Sequence, residues 1–144
     1  FRQQLTESKG KDMSVIIISA DLDGLKHIND TYGHTEGDNA ISTVGKALMT
    51  SAIQGEVCSR FGGDEFTVAG VIADMDDNYF ESFRERFREY LRQYNQISRK
   101  HYLVESSIGF CFQKLEDEID LDQMIKIADD RMYEDKVQRR KARR

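Results

Sequence analysis

The sequence predicts an α+β domain: an antiparallel-centred sheet with flanking helices, its elements ordered β-α-β-β-α-β. Three observations carry that reading. The run Val15-Ile16-Ile17-Ile18 is β-branched and apolar on both faces, which marks a buried central strand. Gly62-Gly63-Asp64 separates two short strand-like stretches, as the tip of a hairpin does. Two helical patterns then fall on either side of that hairpin, and the second is followed by an alternating strand.

In chain order, residues 1–10 read as the end of a helix stopped at Gly10, and 13–20 as the first strand. Residues 21–37 are polar and contain glycine, with room for one short helix. Over 38–53, Ile41, Val44, Ala47, Leu48 and Ala52 share a helical face. The hairpin strands lie near 56–61 and 65–71. A long amphipathic helix spans 78–99, with Phe80, Phe83, Phe87, Tyr90, Leu91, Tyr94 and Ile97 as its core stripe, and the acidic run Asp74-Met75-Asp76-Asp77 caps it. Tyr102, Val104, Ser106, Ile108 and Phe110 alternate along a strand at 102–112, and Leu121, Met124, Ile125, Ala128 and Met132 mark a last helix. There is no proline, repeat or linker, so 1–144 reads as one domain.

This order is the ferredoxin-like, split-βαβ arrangement. Its first two strands run parallel, with the third antiparallel between them. The end of the first strand, at Asp21, and the hairpin tip, at Asp64, therefore meet at one edge of the sheet.

Composition narrows the function classes. The chain has 39% apolar and 33% charged residues, a globular composition, and a net charge of −5 that argues against a nucleic-acid partner. Six basic residues between Lys136 and Arg144 stand out, since without them the charge is −11; their simplest role is to complement the end of a helix. Cys58 and Cys111 sit in apolar strand-like stretches and read as small buried hydrophobes, consistent with a cytoplasmic setting. No apolar run is long enough for a membrane span, so this domain is expected to make no membrane contact. His27, His34 and His101 lack metal-ligand spacing: His34 is expected to pack in its loop, the other two to be solvated. The first residue is Phe1, which suggests a piece of something longer.

Two adjacent carboxylates repel unless a cation or proton lies between them. A hard divalent ion with oxygen ligands resolves that conflict and keeps places for substrate phosphates. Asp21 and Asp64 thus point to metal-assisted phosphoryl or nucleotidyl transfer. Gly62, Gly63 and Gly24 allow a ligand close to the backbone, with N–H groups turned to phosphates. An EF-hand reading of Asp21-Leu22-Asp23 fails, because the later acidic positions and the loop glycine are out of place.

Arg60-Phe61-Gly62-Gly63-Asp64-Glu65-Phe66 resembles the signature of the GGDEF family, the diguanylate cyclases. So do Asp21-Leu22-Asp23-Gly24-Leu25-Lys26-His27-Ile28-Asn29-Asp30-Thr31-Tyr32-Gly33-His34, then Gly37-Asp38, Ser107-Ile108-Gly109, Ala128-Asp129, Met132-Tyr133 and Lys136. The resemblance covers nearly the whole chain in order. It implies a nucleotidyl-cyclase type of sheet and a reaction that condenses two GTP into cyclic di-GMP and pyrophosphate, a second messenger in bacteria. It also implies that Asp21 and Asp64 bind Mg²⁺ or Mn²⁺ by side chain and Leu22 by its carbonyl, with Glu65 assisting by metal binding or proton handling. Asn29 and Asp38 would read the guanine edge; Asp38 can accept from both N1–H and the 2-amino group, although it also suits an N-cap of the helix that follows. Gly24, Leu25, Lys26, Gly62, Gly63, Lys136 and Arg140 would hold the phosphates. One GTP per domain implies a homodimer during catalysis.

The chain departs from the family pattern in three places. Ile53 and Glu56 stand where many relatives carry an Arg-x-x-Asp motif for product inhibition, so feedback through that site is not expected. The glycine of the family's Lys-x-x-Gly-Arg is Arg139, which lets the last helix run on and re-aims Arg140. The usual Asp-x-Leu-Thr segment is absent, and a sensory or dimerising module, anchored in a membrane or not, is expected upstream in the full-length protein. The alternative is a catalytically silent receptor for GTP or cyclic di-GMP. An RNA-binding domain of the same topology needs exposed aromatics on a basic sheet face, which the hairpin lacks.

Overall fold

Strand β1, Met13–Leu22, is the hub of the molecule; beyond Met13 all of its residues are buried, as the β-branched run requires. The computed structural model describes residues 13–52, 57–61, 63–115 and 118–142, with 57–61 as backbone alone. The helix read at 1–10, the environment of Cys58, and Ile53, Glu56 and Gly62 lie outside the described residues or side chains.

After β1 come α1 (Leu25–Tyr32), α2 (His34–Ser51), β2 (Val57–Phe61), β3 (Glu65–Ala73), α3 (Tyr79–Ser98), β4 (Ser106–Lys114) and α4 (Leu121–Ala142). The strands lie in the order β2-β3-β1-β4, every adjacent pair antiparallel, so β1 and β2 run parallel with β3 between them. That is the expected split-βαβ topology. Alternation divides the sheet into two cores. Ile16, Ile18, Ala20, Leu22, Phe66, Val68, Ile108 and Phe110 pack on one face with Val44, Leu48, Phe83 and Phe87 of α2 and α3. Val15, Ile17, Val71 and Cys111 pack on the other with Met124 and Ala128 of α4. Cys111 is thus a small buried hydrophobe, as read.

Three boundaries differ from the sequence reading. The helix expected from 38 begins at His34, because Gly33, at φ 96°, separates two consecutive helices. His34 is consequently an exposed first-turn residue and does not pack in a loop. The last strand begins at Ser106, where β1 ends its pairing at Leu22. Before it, Asn95 takes over the role of a partner strand: its Nδ2 donates to the Val104 carbonyl at 3.0 Å and its Oδ1 accepts the Val104 N–H at 2.8 Å. Third, the α3 stripe holds at Phe83, Phe87 and Leu91, but Ile97 is 79% exposed, one residue before the helix ends. Ahead of α3, Asp76 Oδ1 accepts the N–H of Asn78 at 2.8 Å, so the acidic run shapes the turn while Asn78 is the N-cap residue.

The outer edge of β4 is covered by α4. Asp135 Oδ2 accepts the Ile108 N–H at 2.9 Å, and the Arg131 guanidinium donates to the Phe110 carbonyl at 2.6 Å. These contacts, one helical turn apart, satisfy edge groups that would otherwise need water or another strand. Gly109 makes the approach possible: a Cβ there would lie 2.2 Å from the Met132 nitrogen and 2.3 Å from the Ala128 carbonyl oxygen.

Candidate active site

The sheet places Asp21 and Asp64 side by side. Asp21 pairs with Glu65 in β3 and with Ser107 in β4, and the N–H of Leu22 donates to the Asp64 carbonyl at 3.0 Å. The Asp64 carboxyl lies close enough to raise the Asp21 pKa. Asp21 is only 7% exposed and faces α4, from which Lys136 Nζ donates to its Oδ2 at 2.6 Å. Its other oxygen, Oδ1, is buried with no hydrogen-bond partner. Burial pushes the Asp21 carboxyl up from 3.8 to about 6; the Asp64 carboxylate adds to the rise and Lys136 opposes it.

A buried carboxylate oxygen without a donor, with a second carboxylate nearby, fits a hard divalent cation. Among the described residues no three His, Cys, Asp or Glu side chains converge, so the protein offers a two-carboxylate cradle. Such a cradle leaves coordination positions for substrate oxygens and water.

The turn after β1 presents backbone to the same edge. Gly24 adopts φ 73° and is the N-cap residue of α1, so Leu25 and Lys26 lie in the first turn, where N–H groups have no intrahelical acceptor. The turn is fixed through Asp23, whose N–H donates to the Glu105 carbonyl at 2.8 Å and whose Oδ1 accepts from Ser107 Oγ at 2.7 Å. The side chain of Lys26 is 93% exposed and lies 3.8 Å from Asp30.

Where α1 and α2 pack, the Asn29 side chain lies against Gly37, the residue before Asp38. The contact depends on Gly37, since a Cβ there would fall 1.7 Å from Asn29 Oδ1. Asp38 is exposed inside α2, and the N-cap residue is Gly33 with no side-chain cap, so the N-cap role open to Asp38 is not what the helix uses.

Glu65 is exposed on the α4 side of the sheet. It lines a cleft of about 210 Å³ with Ser19, Thr67 and Asp129. Gly63 is open, with nothing within 4 Å of a built Cβ. At the end of α4 the helix continues through Ala142, as the loss of the family glycine suggested. Arg140 is exposed, while Arg139 turns inward to Asp23 and Glu105. The contributions of Gly37, Gly109, Asp23 and Glu105 were not assigned from sequence. Gly109 gave a signal, standing inside an otherwise regular strand pattern, whereas Gly37 fell in the stretch read as polar loop.

The chain resembles known proteins in sequence and in fold. The family model described as "Diguanylate cyclase, GGDEF domain" matches residues 1–142. The chain is similar to "Probable diguanylate cyclase DgcJ" of Escherichia coli (strain K12), 31% identical over 94% of this chain and 26% of that protein. It is similar to "Diguanylate cyclase DgcP" of the same strain, 34% identical over 88% of this chain and 37% of that protein. The chain therefore spans well under half the length of these relatives. Among solved structures, an EAL/GGDEF domain protein from M. capsulatus superposes with a TM-score of 0.73 at 25% identity, covering 95% of this chain and 87% of that one.

Proposed function

The chain belongs to the GGDEF family, and from that premise we propose that this domain is a diguanylate cyclase that condenses two GTP molecules into cyclic di-GMP. The observation that supports the reading most directly is the Asp21–Asp64 pair, with Asp21 Oδ1 buried and unpartnered between strand and helix.

In this reading Asp21, Asp64 and the Leu22 carbonyl hold Mg²⁺ or Mn²⁺. The ion supplies charge neutralisation at the α-phosphate and a lowered pKa at the attacking hydroxyl. The 3′-oxygen of one GTP forms a bond to the α-phosphorus of the other. The bond from that phosphorus to the α–β bridging oxygen breaks, and pyrophosphate leaves. A second, reciprocal step closes the ring. Glu65, beside the metal cradle and open to solvent, takes the hydroxyl proton. Asp38 accepts from guanine N1–H and the 2-amino group, and Asn29, held against Gly37, completes the base contact. Gly24, Leu25, Gly62 and Gly63 offer backbone, and Lys26 and Lys136 offer charge, to the phosphates. Arg140 reaches them only by turning back from its exposed position.

Each domain holds one GTP, so two copies meet face to face as a homodimer. An upstream module that brings them together, and a cytoplasmic location for the domain, complete the proposal. No helix among the described residues is long and apolar enough to cross a membrane.

The test is incubation of the concentrated domain with GTP and Mg²⁺ beside Asp64→Asn, with products identified by mass, alone and fused to a dimerising coiled coil. Cyclic di-GMP from the parent and none from the variant is the expected outcome. GTP binding without product, even in the fused dimer, would assign the domain as a silent receptor.

A further inference from the structure

We propose that Arg139 is a positioning residue for the triphosphate site: it fastens the last turns of α4 to the turn after β1, and so keeps Lys136 over Asp21 and the Gly24 turn in one arrangement. The inference rests on the reading of that edge as a phosphate site. Arg139 Nε donates to Asp23 Oδ2 at 3.2 Å, and its terminal nitrogen donates to Glu105 Oε2 at 3.1 Å. The Arg139 side chain is 21% exposed and that of Asp23 12%, so this bridge is screened less than a surface ion pair.

Two adjacent rungs result. Asp21 and Asp23 are two residues apart along the strand end, and Lys136 and Arg139 are three apart on the helix, so each acid meets its own cation. Asp23 also holds Ser107 through Oδ1 and the Glu105 carbonyl through its N–H. Arg139 thus ties four segments: the turn after β1, the residue before β4, β4 itself and α4.

Charge gives the second reason. The backbone bond from Asp23 to Glu105 brings two carboxylates together beside a site for a polyanion. Without a cation they would repel each other and the incoming triphosphate. A guanidinium neutralises both with its forked donors, and glycine at this position supplies nothing comparable.

The experiment compares the parent domain with Arg139→Gly, Arg139→Lys and Glu105→Gln, the last cutting the same bridge from its other end. Amide hydrogen exchange is read at Asp23, bonded to the Glu105 carbonyl, and at Ile28, bonded to the Gly24 carbonyl, and calorimetry reads binding of a non-hydrolysable GTP analogue with Mg²⁺ and of guanosine. Arg139→Gly should speed exchange at the turn, weaken the analogue about tenfold, and leave guanosine unchanged. Glu105→Gln should speed exchange in the same way, and Arg139→Lys should recover both effects only in part, since one ammonium cannot fork to both acids. Unchanged exchange in both bridge-cutting variants, or an equal loss for analogue and guanosine, would overturn the proposal. If the parent binds no GTP analogue, the proposed function fails and the exchange arm still decides the role of Arg139.

Discussion

Lys136 Nζ lies 2.6 Å from Asp21 Oδ2, joining the last helix to the central strand across 115 positions of sequence. One ammonium therefore faces an edge that carries two carboxylates. It offsets charge there through Asp21, and under the proposed function it is also a contact for the triphosphate. Under that function metal and ammonium would compete for Asp21, and phosphate and Asp21 would compete for the ammonium.

The competition predicts effects of opposite sign for Lys136→Met. Mn²⁺ should bind the nucleotide-free variant a few-fold more tightly than the parent, because a cation repelled by the incoming ion is gone. The GTP analogue should bind about tenfold more weakly, because a charge-assisted contact is lost. Paramagnetic relaxation titration for the metal and calorimetry for the nucleotide check the two signs separately.

Asp21 sets a pH dependence in the metal-free domain. Its carboxyl is raised from 3.8 to about 6, so between those values the folded state holds a proton that the unfolded state has released. Stability therefore falls as pH rises through this window and is flat, on this account, below 3.8 and above about 6. The full penalty at neutral pH is on the order of 3 kcal/mol. Denaturant melts at pH 4.5 and pH 7.5 should show it, and Asp21→Asn should remove most of the difference. Metal affinity has the opposite trend: below about pH 6 the proton displaces the ion, roughly tenfold per unit.

Gly37→Ala separates binding from stability. Gly37 is a buried helix position, and inside a helix alanine is worth about 1 kcal/mol over glycine in backbone propensity. Its Cβ, however, would sit 1.7 Å from Asn29 Oδ1, and a side-chain amide yields more readily than backbone. The fold should keep its melting temperature within a few degrees while Asn29 is turned out of place. Preference for GTP over ATP should drop about tenfold, read by competition binding.

Much of this was legible in the sequence. The β-branched run at 15–18 and the glycine pair at 62–63 were enough to order the strands, and strand order alone brings Asp21 to Asp64. The parts that were not legible depend on tertiary partners. The alternation at Tyr102 and Val104 is real, since both are buried on the α2–α3 side, but β1 has already ended, so Asn95 pairs with Val104 and no strand forms there. Ile97 fits the helical stripe and yet finds nothing to pack on at the helix end. Arg139 was visible as a departure from a family glycine, but no spacing rule says that it turns inward to Asp23 and Glu105.

Gly109→Ala should damage fold and site together, unlike Gly37→Ala. Here the obstructing atoms are backbone, the Met132 nitrogen at 2.2 Å and the Ala128 oxygen at 2.3 Å, so α4 itself has to lift from the sheet. Overpacking of this kind costs about 3 kcal/mol, or roughly 10 °C in melting temperature for a domain of this size. The lift also carries away Arg131 and Asp135, which satisfy the β4 edge, and Lys136, one turn beyond Met132. At a temperature where the variant is still folded by circular dichroism, its affinity for the GTP analogue should fall at least as far as that of Lys136→Met. A variant that melts lower but binds the analogue as the parent does would show that Gly109 serves packing alone, and that Lys136 reaches its site without α4 seated on β4.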